Sequence, residues 1–302
     1  MTSEWAKRAA PEDDDFSQKH PTEGLRGFVV PPKKTPRASR IPKAPKADEL
    51  ALLSQTLIVE PTEQVRTKIG EALLVAGIDI ETHDFEKKRN GLRRGQFGFL
   101  NLCDASVFSQ RVVQIGWAIG STRAPRPEVC EEYLVRPDGF AISDKATAMH
   151  GITNARALEA GLPLREVLSR FMRAMKQLEE KGGRVVCHHL EFDAGIILKE
   201  LENADMPDEK TRWSRLAKNG FCTMDPDVGA WVQRCSGRDR EPGDDGRQVM
   251  SLHTAVNLLL PKDAAINSLL AKLHSAGADA QLHRLIFLAM MKLMNDSASA
   301  RP

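Results

Sequence analysis

The spacing of apolar positions changes period several times along the chain, and each change marks a boundary between strand-like and helix-like segments. Order is expected to begin near residue 50. Residues 73–80 (LLVAGIDI) form a nearly continuous apolar run of strand length, which predicts a strand buried on both faces. Residues 111–120 (RVVQIGWAIG) and 129–137 (VCEEYLVRP) predict two more strands, and their short connections suggest an antiparallel start to the sheet. The period then lengthens. Over residues 163–183, Leu164, Val167, Leu168, Phe171, Met175 and Leu178 fall on one helical stripe that opens at Pro163 and closes at Gly182. Residues 184–187 (RVVC) read as a short strand, and residues 192–204, 251–260 and 278–294 as helices. The polar stretch 234–248 reads as an exposed loop, and no internal repeat is visible. This alternation predicts one α/β domain over about residues 71–296.

Composition narrows the class. With 302 residues, 28% charged and 41% hydrophobic, the chain is neither collagenous, mucin-like nor wholly disordered. No run approaches the ~18–20 apolar residues of a membrane helix, and the opening residues alternate charge where a signal peptide is apolar. An intracellular protein, cytoplasmic or nuclear, is therefore expected, with no membrane partner. The five cysteines include no CxxC pair, so reduced thiols are expected rather than a disulfide framework. Residues 1–70 hold 12 of the 43 basic and 10 of the 41 acidic residues, leaving 31 of each beyond, so the long C-terminal part is formally neutral. Within the head, residues 31–46 set six cations among five prolines without an acid. Prolines at that density block helix and sheet, which predicts a disordered arm over residues 1–60. A solvated linker, a nucleic-acid contact and a nuclear-import signal all fit its composition.

Three short segments carry candidate chemistry. Asp79 and Glu81 stand two apart at the end of the most apolar strand, so both carboxylates point to one face and could share a divalent cation. Alone this is a cheap signal, since Asp-x-Glu arises about once by chance in a chain of this size. In CHHLEFD (187–193), Asp193 falls in the first turn of a helix, where an acid also serves as a plain helix-start residue. The Cys187, His188, His189 cluster invites a zinc reading but lacks a fourth ligand at recognisable spacing. In HSAGADA (274–280), His274 precedes the last helix and Asp279 lies about one turn inside it, so both could face one pocket. Four acids and one histidine at strand ends and helix starts are what a two-metal phosphodiester hydrolase requires. The imidazole would suit a general base for water.

In that order and at those intervals the motifs resemble the DnaQ-like (DEDDh) 3′-to-5′ exonucleases of the ribonuclease H-like fold. The matches are DIET, HHLEFD and HSAGADA, with MHGIT (149–153) lying between the early strands and the first long helix. The resemblance implies a central mixed β-sheet flanked by α-helices. It further implies Asp79, Glu81, Asp193 and Asp279 as ligands of two Mg²⁺ or Mn²⁺ ions, His274 as the base, and a nucleic-acid 3′ end as the substrate. The related group that uses a tyrosine is disfavoured, because the position four residues before the last aspartate is Ser275.

Two departures stand out. His189 replaces a common asparagine, and His83, Asp84 and Phe85 follow the first motif where relatives carry a small pair. Thr82, His83, Phe85 and His188 are expected to contact the substrate. A basic segment follows (86–110), with Lys87, Lys88, Arg93, Arg94 and the aromatics Phe97 and Phe99. It reads either as a phosphate-contacting, base-stacking loop or as a solvated insertion with its phenylalanines tucked inward. His150 is expected to hydrogen-bond structurally, His283 to pack or lie at the surface, and Trp117 and Trp231 to sit in the core. An inactive nucleic-acid-binding module on the same fold is the principal rival.

Overall fold

A computed structural model describes residues 59–85, 109–237 and 250–299. The expectations for the arm, for Lys87, Lys88, Arg93 and Arg94, and for most of the 234–248 loop fall outside them. The sheet is built from β1 (Leu74–Thr82), β2 (Val112–Ser121), β3 (Val129–Leu134), β4 (Arg184–Cys187) and β5 (Phe221–Cys222). Its spatial order is β3-β2-β1-β4-β5. β1, β2 and β3 form an antiparallel meander, and β4 and β5 add in parallel to the other side of β1. This mixed five-stranded sheet with helices on both faces is the flanked central sheet that the motifs imply.

Side chains alternate across β1 as the pleat dictates. Ala76, Ile78 and Ile80 enter the core shared with Val167, Leu168, Phe171 and Met175 of α4 (Leu164–Glu180) and with the apolar residues of α5 (Leu190–Asn203) and α6 (Pro207–Lys218). Val75 enters the opposite core, beside Val65 and Ile69 of α1 (Glu63–Ile69), Val228 and Trp231 of α7 (Pro226–Cys235), and Leu282, Ile286 and Phe287 of α10 (Ala276–Ser299). Two short helices, α2 (Asp144–His150) and α3 (Asn154–Ala160), follow β3, and α8 (Leu252–Leu259) and α9 (Ala264–Leu270) precede α10.

The start of the domain is earlier than residue 71. Val65 and Ile69 are buried and the Trp231 indole N–H donates to the Val59 carbonyl, so residues 59–70 belong to the fold. The pattern missed α1 because seven residues with two buried positions are too short to display a period. It missed α6 because only Trp213, Leu216 and Ala217 of that helix are buried, and β5 because two residues become a strand only by pairing.

Two local devices set the site. Glycines on β1 and β2 let α10 lie with its backbone against the sheet: a Cβ at Gly77 would collide with the Ala280 carbonyl, and one at Gly116 with the peptide joining Ala276 to Gly277. Where β2 begins, the buried Glu200 carboxylate of α5 accepts the Val112 N–H at 2.9 Å and the Arg111 Nε at 2.9 Å. Gly77→Ala and Gly116→Ala are each expected to cost about 3 kcal/mol, because backbone cannot move aside as a side chain would. Leu158→Ala on exposed α3 should stay within ~0.5 kcal/mol. Urea denaturation checks both, and an unchanged midpoint for Gly116→Ala would mean that α10 is free to lift from the sheet.

Candidate active site

β1 continues through Thr82, so Asp79 and Glu81 lie within the strand, on the face that carries α10. Their register partners on β2 are Gly116 and Gln114, and the pairing shifts after Glu81. Asp193 lies in the first turn of α5 and Asp279 in the first turn of α10. Strand and helix ends thus bring together four carboxylates from positions up to 200 residues apart.

Their electrostatics record the convergence. Burial, then repulsion from Asp193, Glu81 and Asp279, holds the Asp79 carboxyl well above the usual range. Burial followed by Asp279, Asp193 and Glu132 pushes Glu81 up to about 9. Burial also raises Asp193, with repulsion from Asp279 adding to it and a Cys187 thiol hydrogen bond opposing. Asp279 rises to about 6 through burial, restrained by the His274 N–H that its Oδ2 accepts at 3.1 Å. Among the described residues no lysine or arginine pairs with any of the four.

Such a cluster must either retain protons or gain cations. One ligand atom each from Glu81, His274 and Asp279 lies within 4.8 Å of the others, and Asp279 Oδ1 is buried with no hydrogen-bond partner. Carboxylate oxygens suit Mg²⁺ or Mn²⁺. The carboxylates therefore fit the divalent ions that the motifs imply, and the mutual repulsion of Asp79 and Asp193 with Asp279 places them in the same cluster. Cys187, His188 and His189 form no such group among the described residues.

His274 is exposed and occupies the left-handed region, φ 65°, which is unfavourable for a residue with a Cβ. His188 is half-buried. Its Nδ1 lies 2.7 Å from Thr223 Oγ1, its ring stacks on His283, and burial, then His283 and His189, push its pKa down to about 3. His83 Nδ1 accepts the Arg111 N–H at 2.9 Å and its ring meets Phe140 edge-on, so it ties β1 to β2. The Thr82 hydroxyl donates to the Asp84 carbonyl, whereas Phe85 is exposed. Of the expected substrate contacts among the described residues, Phe85 is exposed and Thr82, His83 and His188 are half-buried. His150 takes the structural role foreseen: its Nδ1 accepts the Ile152 N–H, which leaves Nε2–H to donate to the Thr82 carbonyl.

Sequence reasoning underrated His283, which lies one helical turn beyond Asp279. The i, i+4 relation to a candidate ligand was the available signal. It is 1% exposed, its Nδ1–H donates to the Ile78 carbonyl at 2.8 Å, and Nε2 stands 3.8 Å from Asp79 Oδ1.

The raised carboxyls carry a sign. A folded-state pKa above the unfolded one means that Glu81 contributes stability below about pH 4.5, which is lost as pH rises toward 9. In EDTA, Glu81→Gln should therefore become more stable than the parent as pH climbs from 5 to 9, by about 5 °C or more in Tm at pH 8. Mn²⁺ should stabilise the parent increasingly with pH and the variant far less. Parallel Tm–pH curves for parent and variant would dissolve the cluster's electrostatic account.

No protein-family model and no curated protein sequence matches the chain. Among solved structures it is similar to a product-bound exonuclease I, at 15% identity and a TM-score of 0.48 over 75% of this chain and 46% of that one. It is similar to Escherichia coli exonuclease I in complex with a dT13 oligonucleotide, at 16% identity and a TM-score of 0.49 over 75% and 42%. It is also similar to a moderately thermophilic exonuclease I from Methylocaldum szegediense, at 18% identity and a TM-score of 0.48 over 76% and 43%. The chain spans less than half the length of each of these structures.

Proposed function

We propose that this protein is a metal-dependent 3′-to-5′ exonuclease that hydrolyses the terminal phosphodiester of DNA or RNA and releases nucleoside 5′-monophosphates. The observation that carries the reading is the meeting of Asp79, Glu81, Asp193 and Asp279 in one acidic cluster, with no compensating lysine or arginine among the described residues, beside His274. The order and spacing of the motifs support the exonuclease polarity.

Asp79, Glu81, Asp193 and Asp279 would hold two divalent cations. Bound there, the cations supply positive charge against the negative charge that builds on the phosphoryl and leaving oxygens. His274, exposed at the edge of the acidic cluster, accepts the proton from the attacking water at a ring nitrogen. The water oxygen bonds to phosphorus while the 3′ oxygen of the penultimate nucleotide departs with the electron pair. Asp279 keeps the histidine in reach by accepting its backbone N–H. Phe85 offers a base a stacking surface, and Lys87, Lys88, Arg93 and Arg94 supply phosphate contacts.

On 5′-labelled single-stranded DNA and RNA with Mg²⁺ or Mn²⁺, a ladder shortening from the 3′ end is expected, absent in EDTA and in Asp79→Ala. His274→Ala should lower kcat by about 10²-fold or more with little change in KM. Circular or 3′-blocked substrates should survive, and their cleavage would indicate an endonuclease. Binding with every substrate intact would favour the inactive module instead. Deleting residues 1–58 should weaken binding and flatten its salt dependence if the arm grips phosphate. Unchanged salt dependence would remove the arm from substrate binding.

A further inference from the structure

The segment that carries His274 and Asp279 is not held by its own neighbours alone. A helix start leaves its first N–H groups without intrahelical partners, and a local side chain usually supplies the acceptor. In α10 the Ala278 and Asp279 N–H groups reach back to the Ser275 carbonyl, whereas the two preceding donors go to the sheet. The Ala276 N–H donates to Gln114 Oε1 on β2 at 3.0 Å, and the Gly277 N–H to Glu132 Oε2 on β3 at 2.8 Å. The same Glu132 oxygen accepts the Ser275 hydroxyl at 2.6 Å. Glu132 thus clasps the residues on either side of Ala276, immediately after the left-handed turn at His274. The fit is close: a Cβ on Gly277 would stand 2.7 Å from Glu132 Oε2.

We propose that Glu132 is a positioning residue for the reaction, acting through His274. It fixes the turn that aims the imidazole at the cluster and needs no contact of its own with substrate. A non-glycine residue at φ 65° persists only where its surroundings over-determine it. Three ties do so here: the His274 N–H to Asp279, the Ser275 hydroxyl to Glu132 and the Gly277 N–H to Glu132. A role for Glu132 as a further metal ligand is disfavoured, because the oxygen that faces this segment already accepts two hydrogen bonds. The proposal rests on the nuclease reading for its kinetic consequence and on geometry alone for its structural one.

The test compares Glu132→Ala, Glu132→Gln and Ser275→Ala in the full chain. Glu132→Ala should lower kcat about 10- to 50-fold, with KM and Mn²⁺ affinity within twofold of the parent. Glu132→Gln, which keeps an acceptor oxygen, should recover to within threefold, and Ser275→Ala should lose two- to fivefold. In a His274→Ala background Glu132→Ala should have no further effect on kcat. Parent-level turnover in Glu132→Ala would overturn the proposal, as would an equal loss with and without His274 or a tenfold loss of Mn²⁺ affinity. A readout independent of hydrolysis is the ¹H–¹³C signal of the His274 ring, expected single and sharp in parent and Glu132→Gln and shifted or broadened in Glu132→Ala. If the parent hydrolyses nothing the nuclease reading fails, and that signal still decides whether Glu132 positions His274: an unmoved signal overturns the claim.

Discussion

The backbone of α10 lies directly on β1 and β2, and most of the site follows from that contact. Gly77 and Gly116 remove the side chains that would otherwise hold a helix at the usual distance from a sheet. Asp279 then drops beside Asp79 and Glu81, and His283, one turn later, reaches the Ile78 carbonyl inside the motif strand. The next residue, Arg284, donates to the carbonyls of Ser121, Ala124 and Pro125, which ties the same helix to the turn leaving β2. One helix face is thus bonded to the sheet at three levels, and the acids inherit its rigidity.

Bringing those acids together opposes folding. Asp193 and Asp279 are buried and Asp79 and Glu81 half-buried, each is repelled by at least one other, and among the described residues no cationic side chain answers them. A chain that only needed to fold would replace them with apolar residues. The scaffold sustains the strain because the rest of the sheet is well packed: Trp117, Phe171 and Trp213 stack edge to face beneath β1, and Glu200 closes the junction where β2 starts. A site that favours cations at neutral pH is the outcome, since a bound cation relieves at once the repulsion and the retained protons.

The ties that hold the site come from several elements. His83 joins β1 to β2 through Arg111, His150 joins α2 to the end of β1, and Glu132 joins β3 to the start of α10. None of these links is between sequence neighbours, and none is a metal ligand in the motif reading. They divide the labour, with acids at strand and helix ends for chemistry and polar side chains on adjoining elements for aim.

How much of this was legible follows from range. Strands 73–80 and 184–187 and the stripe of the first long helix rest on local periodicity and burial, which a single sequence carries, so they and the α/β class could be read directly. The two-residue interval in β1 put Asp79 and Glu81 on one face for the same reason. α1, α6 and β5 could not be read, because each is an element only where a distant partner covers or pairs with it. The placement of His188 against Thr223 and His283 could not be read either, because those partners come from elements far away in the chain. Glu132 carries no local mark, and His283 only its i, i+4 spacing from Asp279. Hydrophobic period and motif order therefore determined by themselves the longer elements and the candidate acids, whereas only the tertiary structure decided which polar side chains aim them, since an aim is set by contacts between segments that meet only after the chain has folded.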